Sequence, residues 1–168
     1  MKKVVVIDTS ILCCYLNVAG KETCGRTDDK WDEARARDEI ERKIAENAIL
    51  VLPLASLIET GNHIAHAADR RYQTANSFAQ LIRAAAVGNE PWAPFTGQDP
   101  CWTEEALVEL ADNWPNLAAA EQSIGDYTIK EVAEHYASTG CSVEILTGDD
   151  GLRAYTPTSE VLVPRRRR

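Results

Sequence analysis

The chain has 168 residues, 45% of them hydrophobic and 26% charged, and a formal net charge of -8 at pH 7. Those values are ordinary for one globular domain with a sizeable core. The negative total argues against a dispersed electrostatic grip on nucleic acid, but it is compatible with a local basic patch or an acidic cluster holding a cation.

In chain order, Val4-Val5-Val6-Ile7 predicts a short strand buried on both faces, as in the centre of a parallel sheet. It stops on Asp8, a carboxylate costly to bury alone, whose natural place is the crevice beyond the carboxyl end of the strand. Lys2-Lys3 before this apolar run imitates a signal peptide, but Asp8 spoils the imitation. Ile11 to Leu16 predicts an apolar turn of helix, and Gly20 to Asp28 a polar loop. From Asp29 to Asn47 the spacing of Trp31, Ala34, Ile40, Ile44 and Ala48 predicts a helix. Ile49 to Pro53 reads as a second buried strand, and Ser56 or the residues just before it open a helix to about Ala68. This is a β-α-β unit, hence a parallel pair with a right-handed crossover.

Arg70 to Val87 predicts another helix, with Tyr72, Ala75, Phe78, Ala79, Ile82 and Ala86 on its apolar stripe. Gly88 to Pro100 reads as a loop, and Thr103-Glu104-Glu105 starts a short helix with a capping signal. Asn113 to Gln122 fits no single pattern. Ile124 to Ala137 is helical again, with Gly140 where a C-terminal cap belongs. Val143 to Leu146 predicts a third strand, Asp150 to Tyr155 a helical turn, and Val161 to Val163 an edge strand stopped by Pro164. The single domain is expected over 1–164, with Arg165 to Arg168 as a basic tail.

Cys13, Cys14, Cys24, Cys101 and Cys141 show neither C-x-x-C spacing nor a regular framework, which reads as reduced, mostly buried thiols and argues against zinc. No stretch reaches the roughly 18 apolar residues of a membrane span, so a cytoplasmic protein with no membrane partner is expected.

The three strands end in polar or acidic residues on one edge: Asp8 after the first, Ser56 and Glu59 after the second, Thr147-Gly148-Asp149-Asp150 after the third. Asp126 joins them if the Ile124 helix packs with its N-terminus toward the crevice. Leu57, Ile58, Gly61, Ile64 and Ala65 form the expected apolar side of the second helix, which turns Glu59 toward crevice or solvent. Each acid also has a purely structural reading. Asp126 can complete a capping box with Ser123, Asp149-Asp150-Gly151 can be a turn or N-cap, and Glu59 can be an ordinary surface carboxylate. In the expected register Thr147 and Asp149 project to one side, leaving Asp150 to cap the helical turn that follows.

Val5-Val6-Ile7-Asp8-Thr9-Ser10, Leu57-Ile58-Glu59-Thr60-Gly61-Asn62, Gly125-Asp126 opening a helix and Leu146-Thr147-Gly148-Asp149 closing a strand together resemble the PIN domain, over nearly the whole chain. The resemblance implies a three-layer α/β/α sandwich with a central, mostly parallel sheet and the activity of a metal-dependent endoribonuclease. By it, Asp8, Glu59, Asp126 and Asp149 match the acidic positions that hold Mg²⁺ or Mn²⁺, and Ser10 and Thr147 match the small hydroxyl positions beside them. Carboxylates rather than thiolates or imidazoles suit such an ion, which takes oxygen ligands and keeps several waters. Many small bacterial members are toxins of toxin-antitoxin pairs and others process RNA. The expected partners are therefore an RNA substrate, with an antitoxin-like protein or a second copy of the chain kept open.

Glu59, Asn62, His63 and His66 share a helix face, with Asn62 nearest the carboxylates as part of a polar rim; a histidine-rich transition-metal site is the alternative. Arg35, Arg37, Arg70, Arg71 and Arg83 are the candidates for attracting phosphate. Two competing functions are a haloacid-dehalogenase-type phosphatase, which would want a second Asp where Ser10 stands, and a non-catalytic PIN-like binding module.

Overall fold

The computed structural model describes residues 1–158. The expected edge strand at Val161 to Val163 and the Arg165 to Arg168 tail lie outside the described residues. β1 (Lys3–Ile7) is the middle strand of a parallel sheet, flanked by β4 (Ile49–Val51) and β5 (Ser142–Leu146). Val5 stands opposite Leu50 on one side and Glu144 on the other. β1 carries an unbroken apolar run because both of its faces are covered. Val4 and Val6 pack with Ile129, Val132 and Ala133 of α6 (Ile124–Ser138) and Leu152 of α7 (Asp150–Arg153). Val5 and Ile7 pack with Ile11, Leu12 and Cys14 of α1 (Thr9–Tyr15) and with Ala36 and Ile40 of α2 (Glu33–Ala45). Alternation along one strand thus feeds two cores, and the fold is an α/β sandwich of three layers. A further cluster joins Cys13 and Val18 to Ile64 of α3 (Leu54–Ala65) and Phe78 of α4 (Arg71–Val87). Among the described residues no helix is long and apolar enough to cross a membrane.

Several elements differ from expectation. The expected loop and the start of the expected Asp29 helix form an antiparallel hairpin of β2 (Cys24–Arg26) and β3 (Asp29–Trp31). Trp31 therefore enters the core from a strand, and the helix begins only after Asp32, whose Oδ1 accepts from Arg35 N at 2.9 Å. Gly25 makes the hairpin possible: its φ is +85°, and a Cβ there would stand 2.5 Å from the Asp29 carbonyl oxygen. α3 stops at Ala65, short of Ala68, and buries Ser56, Thr60 and Ile64, while Ile58, expected on the apolar side, is exposed. Tyr72 is likewise exposed, because α4 meets its neighbours through Thr74, Phe78 and Ala85.

The expected Gly88 to Pro100 loop contains a strand-like contact: Leu50 N donates to Pro91 O and Ala93 N donates to Leu50 O, both at 2.8 Å, covering the free edge of β4. A 3-10 helix then runs from Phe95 to Trp102. The helix capped by Thr103 is not short. α5 (Glu104–Ala119) absorbs most of the segment left unassigned and runs through Pro115. Pro115 removes one helical hydrogen bond, and the carbonyl left over belongs to exposed Ala111, where water can take its place.

Candidate functional site

The site is built at the carboxyl ends of the parallel strands. Asp8 N donates to Leu146 O at 3.0 Å, prolonging the β1–β5 ladder by one bond and bringing Asp8 beside Thr147. Asp8 is 6% exposed, and its Oδ2 accepts from Ser10 Oγ at 2.6 Å and Thr147 Oγ1 at 2.8 Å. Both hydroxyls are themselves held, since Ser10 Oγ accepts from Gly148 N at 3.0 Å and Thr147 Oγ1 from Asp149 N at 2.9 Å. One carboxylate oxygen is thus fixed by a network joining β1 to the loop after β5, and no hydrogen bond among the described residues reaches Oδ1.

Glu59 comes from α3, half-buried, with Oε2 accepting from Thr9 Oγ1 at 3.0 Å. Its Oε1 lies against the first turn of α6, where a Cβ on Gly125 would stand only 2.4 Å away. Gly125 is the seat for the Glu59 carboxylate, directly before Asp126 in the chain. Asp126 N donates to Ser123 Oγ at 3.0 Å, so the capping reading of this pair holds in the structure. Asp126 also faces the crevice acids. Burial raises its carboxyl above the usual range, repulsion from Asp8, Asp149 and Glu59 adds to the rise, and a hydrogen bond with Ser123 opposes it.

Asp149 is exposed, and its Oδ1 accepts from Leu152 N at 3.0 Å. This corrects the expected division of labour, because Asp149, not Asp150, caps α7. The chain leaves β5 still extended at Asp149, with φ -85° and ψ 129°, which is N-cap geometry, and Asp150 is already the first helical residue. Asp150 is exposed, and Arg26 stands 3.9 Å from it.

Asn62 is exposed one turn beyond Glu59 and makes no side-chain hydrogen bond to the cluster among the described residues. His66 Nδ1 lies 2.8 Å from the Asn62 carbonyl oxygen. Of the candidate arginines, Arg35 pairs with Asp29 at 2.7 Å and stacks on Trp31, Arg37 pairs with Glu33 at 2.9 Å and stacks on Tyr15, and Arg70 pairs with Asp69 at 3.1 Å. Arg71 and Arg83 are exposed on α4.

Acids elsewhere, such as Asp29, Glu39 and Glu46, are neutralised by neighbouring Lys or Arg. Among the described residues none of Asp8, Glu59, Asp126 and Asp149 has a salt bridge, and no three His, Cys, Asp or Glu side chains close into a cage for one ion. The donor set nonetheless fits a hard cation. It is all oxygen, as such an ion requires, and among the described residues no hydrogen bond reaches Asp8 Oδ1, Glu59 Oε1 or Asp149 Oδ2.

Thr9, Gly125 and Gly148 stand inside the motifs quoted above, but sequence reasoning gave them no role: Thr9 orients Glu59, and the missing Cβ atoms of the two glycines make room for Glu59 and for Cys24. No protein-family model, no curated protein and no solved structure matches this chain.

Proposed function

We propose that the chain is a PIN-like endoribonuclease that hydrolyses RNA phosphodiester bonds with Mg²⁺ or Mn²⁺ held by Asp8, Glu59, Asp126 and Asp149. The observation that carries this reading is a set of acids from four elements at the carboxyl ends of the parallel strands, three of which act electrostatically on Asp126, with no basic partner among the described residues. Such a set repels itself, and a divalent cation is the partner that relieves it. When bound, the ion supplies a more acidic water and offsets charge on the phosphate. The protein's own part is positional. Ser10 and Thr147 hold Asp8 by one oxygen, Thr9 holds Glu59, and the α7 cap holds Asp149, so the remaining oxygens present a preset geometry. Ser10 stands where a phosphatase of the haloacid-dehalogenase type would carry its second Asp, and its hydroxyl serves the Asp8 network.

The test is cleavage of labelled RNA by the purified full chain. Cleavage should require Mg²⁺ or Mn²⁺, stop in EDTA, return on adding the metal, and be lost in Asp8→Asn, whose fold survives by thermal melt. Cleavage undiminished in EDTA refutes the metal chemistry. A chain that neither binds Mn²⁺ nor cleaves RNA supports the binding-module alternative, in which the acidic cluster no longer holds a metal.

A further inference from the structure

The cysteines contain a pair that the proposed reaction does not use. Cys14 Sγ on α1 and Cys24 Sγ on β2 lie 3.5 Å apart. We propose that Cys14 and Cys24 form an oxidisable dithiol whose disulfide ties the β2–β3 hairpin to α1 beside the carboxylate crevice.

Three features of the packing single out this pair. Cys13, next in sequence, lies in a different core cluster, with Val18, Ile64 and Phe78, so neighbouring thiols on α1 face opposite ways. Cys14 is fully buried while Cys24 is half-buried, so an oxidant reaches Cys24 and finds Cys14 already behind it. Cys24 is also pressed onto the site loop, because a Cβ on Gly148 would stand 2.4 Å from Cys24 Sγ and 3.2 Å from Gly25 N. A disulfide bond is about 2.05 Å long, so closing it brings the sulfurs roughly 1.5 Å nearer and shifts Cys24 where it touches Gly148. Gly148 N donates to the Ser10 hydroxyl that holds Asp8, so the shift is one hydrogen bond removed from the acid. A hydrogen bond with Cys14 lowers the pKa of the Cys24 thiol, in keeping with Cys24 as the attacking sulfur.

With a peroxide as the oxidant, the Cys24 thiolate attacks one peroxide oxygen. The O–O bond breaks, the departing oxygen takes up a proton as water, and Cys24 becomes a sulfenic acid. Cys14 sulfur then attacks Cys24 Sγ. The S–S bond forms, the S–O bond breaks, and the leaving hydroxide carries off the Cys14 proton as a second water. Two thiols and one peroxide give one disulfide and two waters.

The influence on the crevice acids rests on the function proposed above, but the dithiol itself does not, and the experiment separates them. The full chain is treated with hydrogen peroxide, alkylated, and mapped by proteolysis without reduction. The expected product is a Cys14 peptide linked to a Cys24 peptide, with Cys13, Cys101 and Cys141 alkylated. Dithiothreitol should reverse the link, and Cys24→Ser, a change at a half-buried site, should abolish it. No cross-link, or one through other cysteines, overturns the proposal. Hydrogen exchange at the Gly148 amide should change several-fold between oxidised and reduced protein, and an unchanged rate overturns the coupling to the site. Neither readout needs metal or RNA, so failure of the nuclease reading leaves both results standing.

Discussion

Thr147→Val is the sharpest test of how Asp8 is held. Valine keeps the shape of threonine and opens no cavity at a position 3% exposed, so the loss is that of the hydroxyl alone. That hydroxyl donates to Asp8 Oδ2 at 2.8 Å and accepts from Asp149 N at 2.9 Å. A hydrogen bond to a charged group contributes about 1.5–3 kcal/mol. Ser10 still holds the same oxygen at 2.6 Å and water can reach the amide of exposed Asp149, which places the loss near the lower end, about 2 kcal/mol. For a chain of this size that is a fall in melting temperature of roughly 4–8 °C. Freed of one donor, Asp8 is less well oriented, and Mn²⁺ affinity should fall about 10–100-fold. Thermal melts in EDTA and calorimetric titration with Mn²⁺ measure the two effects, and Thr147→Ser, which retains the oxygen, should keep most of the affinity. A Thr147→Val protein with wild-type melting temperature and affinity would refute the hydroxyl network as the support of Asp8.

Gly125→Ala should leave the fold intact, because the flexible end of Glu59 can yield, yet weaken Mn²⁺ binding by displacing the carboxylate that occupies the space 2.4 Å from the new Cβ; unchanged affinity would mean that Glu59 is no ligand. Asp149→Asn should melt like wild type, since Asn caps α7 as well as Asp does, but lose Mn²⁺ affinity, whereas Asp150→Asn should change neither; a larger loss at Asp150 would overturn this assignment. For Asp126 the folded-state pKa is raised, so the native state binds the proton more tightly than the unfolded chain, and stability is lost as pH rises through the interval between the two values. Asp126→Asn without metal should therefore melt higher than wild type at neutral pH, with the gain vanishing below the ordinary carboxylate range. A difference that does not vary with pH would show that neither burial of the charge nor repulsion from the other acids is its source.

The central strand and its acid were legible because their signals are local. Four consecutive apolar residues ending on a carboxylate leave a chain few options, and Val4 to Asp8 lies where that pattern demands, with both faces buried. Ser123-x-x-Asp126 likewise carries its own helix start, and Thr103 its own cap. The three parallel strands follow from apolar runs separated by helices, and their acids come to one edge because parallel strands present all their carboxyl ends there.

What lay beyond local pattern was decided by neighbours. The β2–β3 hairpin has only short strands, and its stability depends on Gly25 taking a positive φ and on Cys24 and Trp31 packing against the site loop and α1, contacts distant in sequence. Which side of α3 is buried was set by its packing against α1, α4 and α6, which buries Ser56, Thr60 and Ile64 and leaves Ile58 outside. The choice between Asp149 and Asp150 as the cap turned on how far β5 stays extended before α7 begins, a one-residue register that identical neighbouring side chains cannot reveal. Hydrophobic period and capping chemistry act within a few residues and can be read from the chain itself. Register, hairpin placement and the seat that Gly125 makes for Glu59 arise from contacts between distant segments, and only the packed molecule contains them.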